Sequence, residues 1–239
     1  MSRIPDYTPR NAVSIPRVCG PLEAEKTALI LIDLQNDFLD PEGAYGKTGV
    51  DIGHMRAIIE PVRSLVAFCR AHGIEIVVTE YACRGRRDGG PVFDKRPALR
   101  EDGGRGLREG TWGVETIPEL GVGAAKGDWL IRRKRMSAFY ATSLEQLLRD
   151  LGKSTILIAG VVTGSCCEST ARDASFRNFD AIMVADCCGS VGGTIIDPVS
   201  REETVVTAEE MHHASLRACS MIVCDVMTSA EIMKEVNEG

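Results

Sequence analysis

Three residue types that together carry out acyl transfer stand at places where an apolar run ends. "LILIDLQNDF" puts Asp33 directly after such a run, "WLIRRKR" ends in Arg132, Arg133 and Lys134, and "GVVTGSCCESTARDA" carries the neighbouring thiols Cys166 and Cys167. A carboxylate can take a proton, a cation can hold that carboxylate ionised, and a thiolate can attack a carbonyl carbon. The combination is that of covalent hydrolysis by a cysteine nucleophile.

The local pattern separates the two thiols. Ser165-x-x-Glu168 reads as a capping box, with Ser165 as N-cap and both cysteines in the first helical turn, where the positive helix end favours a thiolate. Four and seven residues beyond Cys167 lie Ala171 and Ala174, a small stripe suited to packing on a sheet. The same offsets from Cys166 reach Thr170 and Asp173, a polar face. Cys166 is therefore the expected nucleophile and Cys167 a core residue. Asp37 is the expected cap of the turn after the first strand, which leaves Asp33 free for chemistry.

These residues need strands and helices to bring them together. Buried strands are expected at 28–33, 74–79, 129–133, 155–160, 181–186 and 221–225, and helices at 55–71, 144–151, 167–178 and 202–218. The helix at 144–151 has the i, i+3, i+4, i+7 leucine spacing, with Thr142-x-x-Glu145 as its capping box and Gly152 as its stop. Strands alternating with helices imply an α/β fold, a doubly wound, mostly parallel six-stranded sheet with helices on both faces. Residues 1–26 read as an N-terminal arm able to reach a neighbouring subunit, 27–239 as a single domain, and 83–127 as a long functional loop. In such sheets sites form beyond the carboxyl ends of the strands, which is where the acid, the cations and the thiols fall.

Composition narrows the class. The 239 residues carry a formal net charge of −6, against a nucleic-acid surface. No apolar stretch approaches membrane-span length and the N-terminus lacks an apolar signal centre. Nine cysteines spread through apolar runs suit reduced thiols. The expected location is cytoplasmic. The four histidines form no zinc-like cluster, and His212-His213 reads as an exposed or packing pair.

"LILIDLQNDF", "SAFYATSLEQLLRDLG" and "GVVTGSCCESTARDA" followed by "ADCC" together resemble the isochorismatase-like hydrolases, in particular their cysteine-dependent branch acting on amides and ureides. The resemblance covers roughly residues 26–225. It implies an isochorismatase-like, Rossmann-like three-layer fold, Cys166 as nucleophile and Asp33 as acid/base. It also implies a cis peptide at Val161-Val162 and an oxyanion hole from the backbone N–H groups of Val162 and Cys166. The family's usual lysine falls at Arg133 here, with Lys134 one place on. Lys134, brought in by a one-residue bulge, is the expected catalytic cation and Arg133 its rival.

No metal or cofactor is implied, and the expected partner is a small amide or ureide, with a homo-oligomer (dimer or tetramer) as the assembly. A nicotinamidase is the least similar member, because the sequence after the second strand, Thr79-Glu-Tyr-Ala-Cys-Arg84, lacks an Asp-x-His. Enzymes acting on N-carbamoyl compounds look closer, partly through "GTWGVETIPEL". Phe38, Tyr45, Trp112 and Tyr140 are candidate pocket walls, and Arg84, Arg86, Arg87 or Arg105 a candidate carboxylate anchor. The alternatives are an isochorismatase-type vinyl-ether hydrolase, which needs no thiol, and a catalytically silent binding protein.

Overall fold

Strand β1 (Thr27–Ile32) is buried on both sides, so its alternate residues need two separate cores. Leu29 and Leu31 pack on one face of the sheet, while Ala28, Ile30 and Ile32 pack on the other. The computed structural model, which describes residues 15–100 and 102–238, meets this demand with three layers.

Around β1 run β2 (Glu75–Tyr81), β3 (Trp129–Arg133), β4 (Thr155–Val161) and β5 (Asp180–Gly189). A small antiparallel hairpin, β6 (Gly193–Ile196) and β7 (Glu203–Val206), leaves the sheet before β8 (Asp225–Met227) completes it. The order is β3-β2-β1-β4-β5-β8, with every pairing in the sheet parallel. The chain moves outward from β1 to β2 and β3, then returns to place β4 on the other side of β1. The switch point of the topology thus lies between the carboxyl ends of β1 and β4.

Helices α1 (Asn36–Leu39), α2 (Ala44–Lys47), α3 (Gly53–Arg56) and α4 (Ile59–Ala71) follow β1, α5 (Arg86–Gly89) lies in the long loop, and α6 (Leu144–Asp150), α7 (Glu168–Phe176), α8 (Ala208–Ile222) and α9 (Ser229–Glu238) complete the layers. Val62 and Leu65 of α4 and Ile232 of α9 enter one core. Leu144 of α6, Ala171 and Ala174 of α7 and Leu216 of α8 enter the other.

Several local expectations change. The helix expected at 55–71 breaks into α3 and α4 around Ala57 and Ile58, because Pro61 has no N–H to offer the Ala57 carbonyl. The helix expected at 202–218 begins only at Ala208: Thr207 Oγ1 accepts from Glu210 N (3.1 Å) while the Glu210 carboxylate accepts from Thr207 N (2.8 Å), and 203–206 pair as β7 instead. That helix runs on through Met221 and Ile222, whose apolar side chains are exposed at its end, so the last strand starts at Asp225 rather than 221. Thr142 does not form its expected box either. Its hydroxyl donates to the Ala138 carbonyl (2.6 Å) and accepts from Leu144 N (3.3 Å).

The described part of the N-terminal arm is tied to its own chain. Val18 and Cys19 donate backbone N–H groups to the Asp225 carboxylate, and Arg17 pairs with Glu235. Residues 1–14 lie outside the described residues. Among the described residues no helix is long and apolar enough to cross a membrane.

Candidate active site

Asp33 is the first residue past β1, fully buried, with φ 50°, a left-handed conformation that Asp tolerates better than branched residues. Its Oδ1 accepts from Thr79 Oγ1 (3.4 Å). Arg133, the last residue of β3, reaches across β2 to it: Nη2 donates to Asp33 Oδ2, Nη1 donates to the Arg135 carbonyl, and the guanidinium sits 4.9 Å over the Tyr81 ring. Both partners of this ion pair are shut off from solvent.

Cys166 arrives from the other side of the switch point. β4 passes β1 through Gly160, φ 132°, where a Cβ would stand 2.1 Å from the Ile32 carbonyl oxygen, so only glycine fits. The β4–β5 register shifts between Ile158 and Gly160, and the Val161–Val162 peptide is cis. A wide π-type turn, Thr163–Cys167, then leads into α7. Ser165 N and Cys167 N both donate to the Val162 carbonyl (3.0 and 3.3 Å), and Cys166 lies close enough to Asp33 and Arg133 for the charges of both to act on its thiol.

The capping box expected at Ser165 is absent. The wide turn takes the extra residue, α7 starts at Glu168, and the Glu168 carboxylate is held by Ser215 (2.6 Å) and Arg172 (2.8 Å). Two other contacts fix the turn. Thr163 Oγ1 lies 2.9 Å from His212 Nδ1, and Thr170 Oγ1 donates to the Cys166 carbonyl (2.7 Å). His212 is thus a buried anchor, not a spare surface residue, and only His213 is exposed. Burial, reinforced by His54 and His213, lowers its pKa to about 4, so it is neutral at pH 7.

Burial also dominates at the thiol. It pushes Cys166 up to about 11, with Arg133 opposing and Asp33 adding to the rise. The resting group is the neutral thiol, so desolvation outweighs the helix-end field. Asp33 too is raised by burial, with the Arg133 charge as the chief opposing influence. Cys167 is buried against Cys188, with its pKa pushed well above the ordinary thiol range by burial and by its bond to that residue.

Lys134 does not reach the site. The β2–β3 register runs without a bulge to Tyr81 opposite Arg133, so the next side chain points to the other side and pairs with Asp88 (2.8 Å), half exposed. Arg133 holds the position for which Lys134 was expected.

An enclosed cavity of about 50 Å³ opens beside Cys166, walled by Phe38, Tyr45, Tyr81, Arg96, Leu107 and Val162 among others. Phe38 and Tyr45 stand as expected, their ring centroids 4.8 Å apart. Trp112 and Tyr140 do not. Trp112 is 49% exposed and contributes its carbonyl to Asn36 Nδ2 (2.9 Å); Tyr140 is 57% exposed and borders a separate surface depression beside Asp88 and Lys134. None of Arg84, Arg86, Arg87 and Arg105 lines the cavity; Arg84 pairs with Glu109 and Arg86 with Asp94.

The polar run Gln35-Asn36-Asp37 carries a role that its sequence position hinted at but did not specify. Gln35 exchanges hydrogen bonds with the Tyr81 backbone (3.0 and 3.1 Å) and donates to the Val114 carbonyl (2.8 Å). Asp37 accepts from Ala44 N (3.1 Å) and Leu107 N (2.6 Å). Three side chains at the end of β1 thereby seat the long loop over the pocket. A run of polar residues immediately after a buried strand was the available signal. Among the described residues, no group of three or more His, Cys, Asp or Glu is arranged to hold a metal ion.

Comparison with known proteins agrees with the fold. A family model described as "Isochorismatase domain" matches residues 27–231. The ureidoacrylate amidohydrolase RutB of Acinetobacter baylyi is 30% identical over 207 residues, 82% of this chain and 77% of that protein. Its counterpart in Methylorubrum extorquens is 32% identical over 195 residues, 76% and 77% of the two chains. Among solved structures, a cysteine hydrolase from Pseudomonas syringae superposes with a TM-score of 0.81 at 26% identity, covering 95% of this chain and 99% of that one. The N-carbamoylsarcosine amidase of Thermoplasma acidophilum shares the fold, with a TM-score of 0.62 at 23% identity over 85% and 96% of the chains.

Proposed function

This chain belongs to the isochorismatase family, and from that premise we propose that it is a cysteine-dependent amidohydrolase cleaving the C–N bond of a small amide or ureide of N-carbamoyl type. The observation that carries the reading is the burial of Cys166 under the influence of the Asp33–Arg133 ion pair, beside one cavity.

The steps follow from the charges. The Arg133 charge opposes the rise that burial imposes on Asp33, and in this reading the Asp33 carboxylate takes the thiol proton as Sγ attacks the carbonyl carbon. Backbone N–H groups of Val162 and Cys166 receive the oxyanion. The C–N bond breaks, the nitrogen leaving with the proton from Asp33, and a thioester remains. Water, deprotonated by Asp33, opens the thioester and returns the thiol. Arg133 stays charged throughout and transfers no proton, so proton traffic runs through Asp33 alone. That Arg133 keeps its fork between Asp33 and the Arg135 carbonyl supports an orienting role.

The same reading includes a cytoplasmic homo-oligomer, supported by free thiols at all nine cysteines and by the exposed Ile195, Ile196 and Val205 of the hairpin. The test is ammonia release from a panel of N-carbamoyl amino acids, biuret, ureidoacrylate-like acids, maleamate and nicotinamide. Activity on at least one, lost in Cys166→Ser, is the expected result. Activity retained in Cys166→Ser overturns the thiol mechanism, and silence across the panel overturns the enzyme reading.

A further inference from the structure

Two cavity residues have no work in the mechanism above. Of the side chains that wall the cavity, Arg96 alone carries a charge at pH 7, because the Cys166 thiol is neutral and Arg133 is already neutralised by Asp33. No carboxylate among the described residues pairs with the Arg96 guanidinium. Its backbone is nevertheless fixed: its carbonyl accepts from Leu99 N (2.9 Å) and Arg100 N (3.2 Å), and the Leu99 carbonyl in turn accepts from Arg108 (2.9 Å). The second residue is Tyr81. Its side chain is buried, its ring lies under Arg133, and its hydroxyl has no hydrogen-bond partner among the described residues. Buried hydroxyls are normally satisfied, and this one borders the space where substrate must sit.

We propose that Arg96 and the Tyr81 hydroxyl form the recognition end of the pocket and make it select monoanionic ureido acids over neutral ureides, Arg96 pairing with the substrate carboxylate and Tyr81 Oη donating a hydrogen bond to the bound ligand. This rests on the amidohydrolase reading and names its substrate class. A single uncompensated positive charge favours one negative charge on the ligand, and apolar walls such as Phe38, Leu99 and Leu107 leave little else to bind a polar tail.

The test uses two ureides of similar reach that differ by a charge, 3-ureidopropionate and butylurea, with ammonia release measured for wild type, Arg96→Ala, Arg96→Lys and Tyr81→Phe. Wild type should prefer the acid in kcat/KM by about 100-fold, and Arg96→Ala should shrink that preference by about 30-fold, chiefly through KM, with Arg96→Lys restoring part of it. Tyr81→Phe should raise KM for the acid about tenfold while its thermal midpoint stays at or above that of wild type, since the free protein loses no hydrogen bond. Equal kcat/KM for the two ureides in wild type, or a preference unchanged in Arg96→Ala, overturns the anchor and leaves the hydrolase reading standing. An unchanged KM in Tyr81→Phe overturns the tyrosine's part. If neither ureide is hydrolysed the hydrolase reading fails on this class, and calorimetric titration of 3-ureidopropionate into wild type and Arg96→Ala still decides the anchor. Binding weakened by the substitution supports it; equal or absent binding overturns it.

Discussion

The turn that carries Cys166 and the long loop at 83–127 face each other across one cavity and are built on opposite terms. The turn is wedged between β4 and α7, its polar groups bonded to Val162, His212 and Thr170, and its reactive thiol is sealed against a buried ion pair. The loop is a succession of short turns pinned from outside by Gln35, Asn36 and Asp37, and it leaves Arg96 exposed and without a carboxylate partner among the described residues. In the proposed reading, chemistry sits where geometry is over-determined, and recognition sits where a charge has no carboxylate partner among the described residues. Burial keeps the Cys166 thiol neutral at rest, so the proposed mechanism needs the nearby Asp33 to take its proton.

Substitutions can break this contrast at several strengths. The largest effect is expected at the thiol and the acid. Cys166→Ala should lower kcat by about four orders of magnitude or more and Asp33→Asn by about 10³-fold, read by ammonia release on any active substrate. Arg133→Met should destabilise the fold by about 3–5 kcal/mol, since it leaves Asp33 buried and unpaired. Arg133→Lys keeps the charge but loses the fork, and should fold while losing about 10² in kcat. Chemical denaturation beside kinetics separates the two.

Alkylation sharpens the electrostatic side. With burial holding Cys166 near 11, its rate of modification by iodoacetamide should rise about tenfold per pH unit between 7 and 10. Asp33 contributes to that elevation, so Asp33→Asn should be alkylated faster than wild type at pH 8 although it no longer hydrolyses substrate. Mass spectrometry of the labelled peptide gives both rates.

His212 has a smaller effect, on stability. Its folded-state pKa of about 4 lies below the ordinary 6.5, so the folded state binds fewer protons between those values. The stabilisation is complete above about pH 6.5 and is lost as pH falls toward 4, by up to about 3 kcal/mol. The raised Asp33 acts with the opposite sign, so the measurement is the difference between wild type and His212→Gln, which should lose stability less steeply over that range. The smallest effect belongs outside the pocket: Lys134→Met and Tyr140→Ala should stay within about twofold of wild-type kcat/KM. A large loss in Lys134→Met would return the catalytic cation to that residue.

Much of this contrast was legible in the chain. Five strands were readable because a strand buried on both faces is a continuous apolar run, and the gathering of Asp33, the cations after the third strand and Cys166 at one edge was readable because such runs end at the carboxyl edge of a parallel sheet. The sixth strand was misread because Met221 and Ile222 are apolar yet exposed at a helix end. The Ser165 box was misread because a wide turn shifts the helix start by residues that no local pattern marks. Trp112 and Tyr140 show the same limit. Aromatic type near a motif says nothing about which way a loop turns the ring.

Local pattern by itself therefore determined the layer architecture and the edge where the candidate site lies, because both follow from hydrophobic periodicity and side-chain direction. Only the tertiary structure decided that Arg133 and not Lys134 faces Asp33, that His212 anchors the turn carrying Cys166 and that Arg96 has no carboxylate partner among the described residues. Each of those depends on strand register or on contacts between residues from tens to a hundred positions apart, and side-chain pairing over such distances is fixed by packing, which local pattern does not encode.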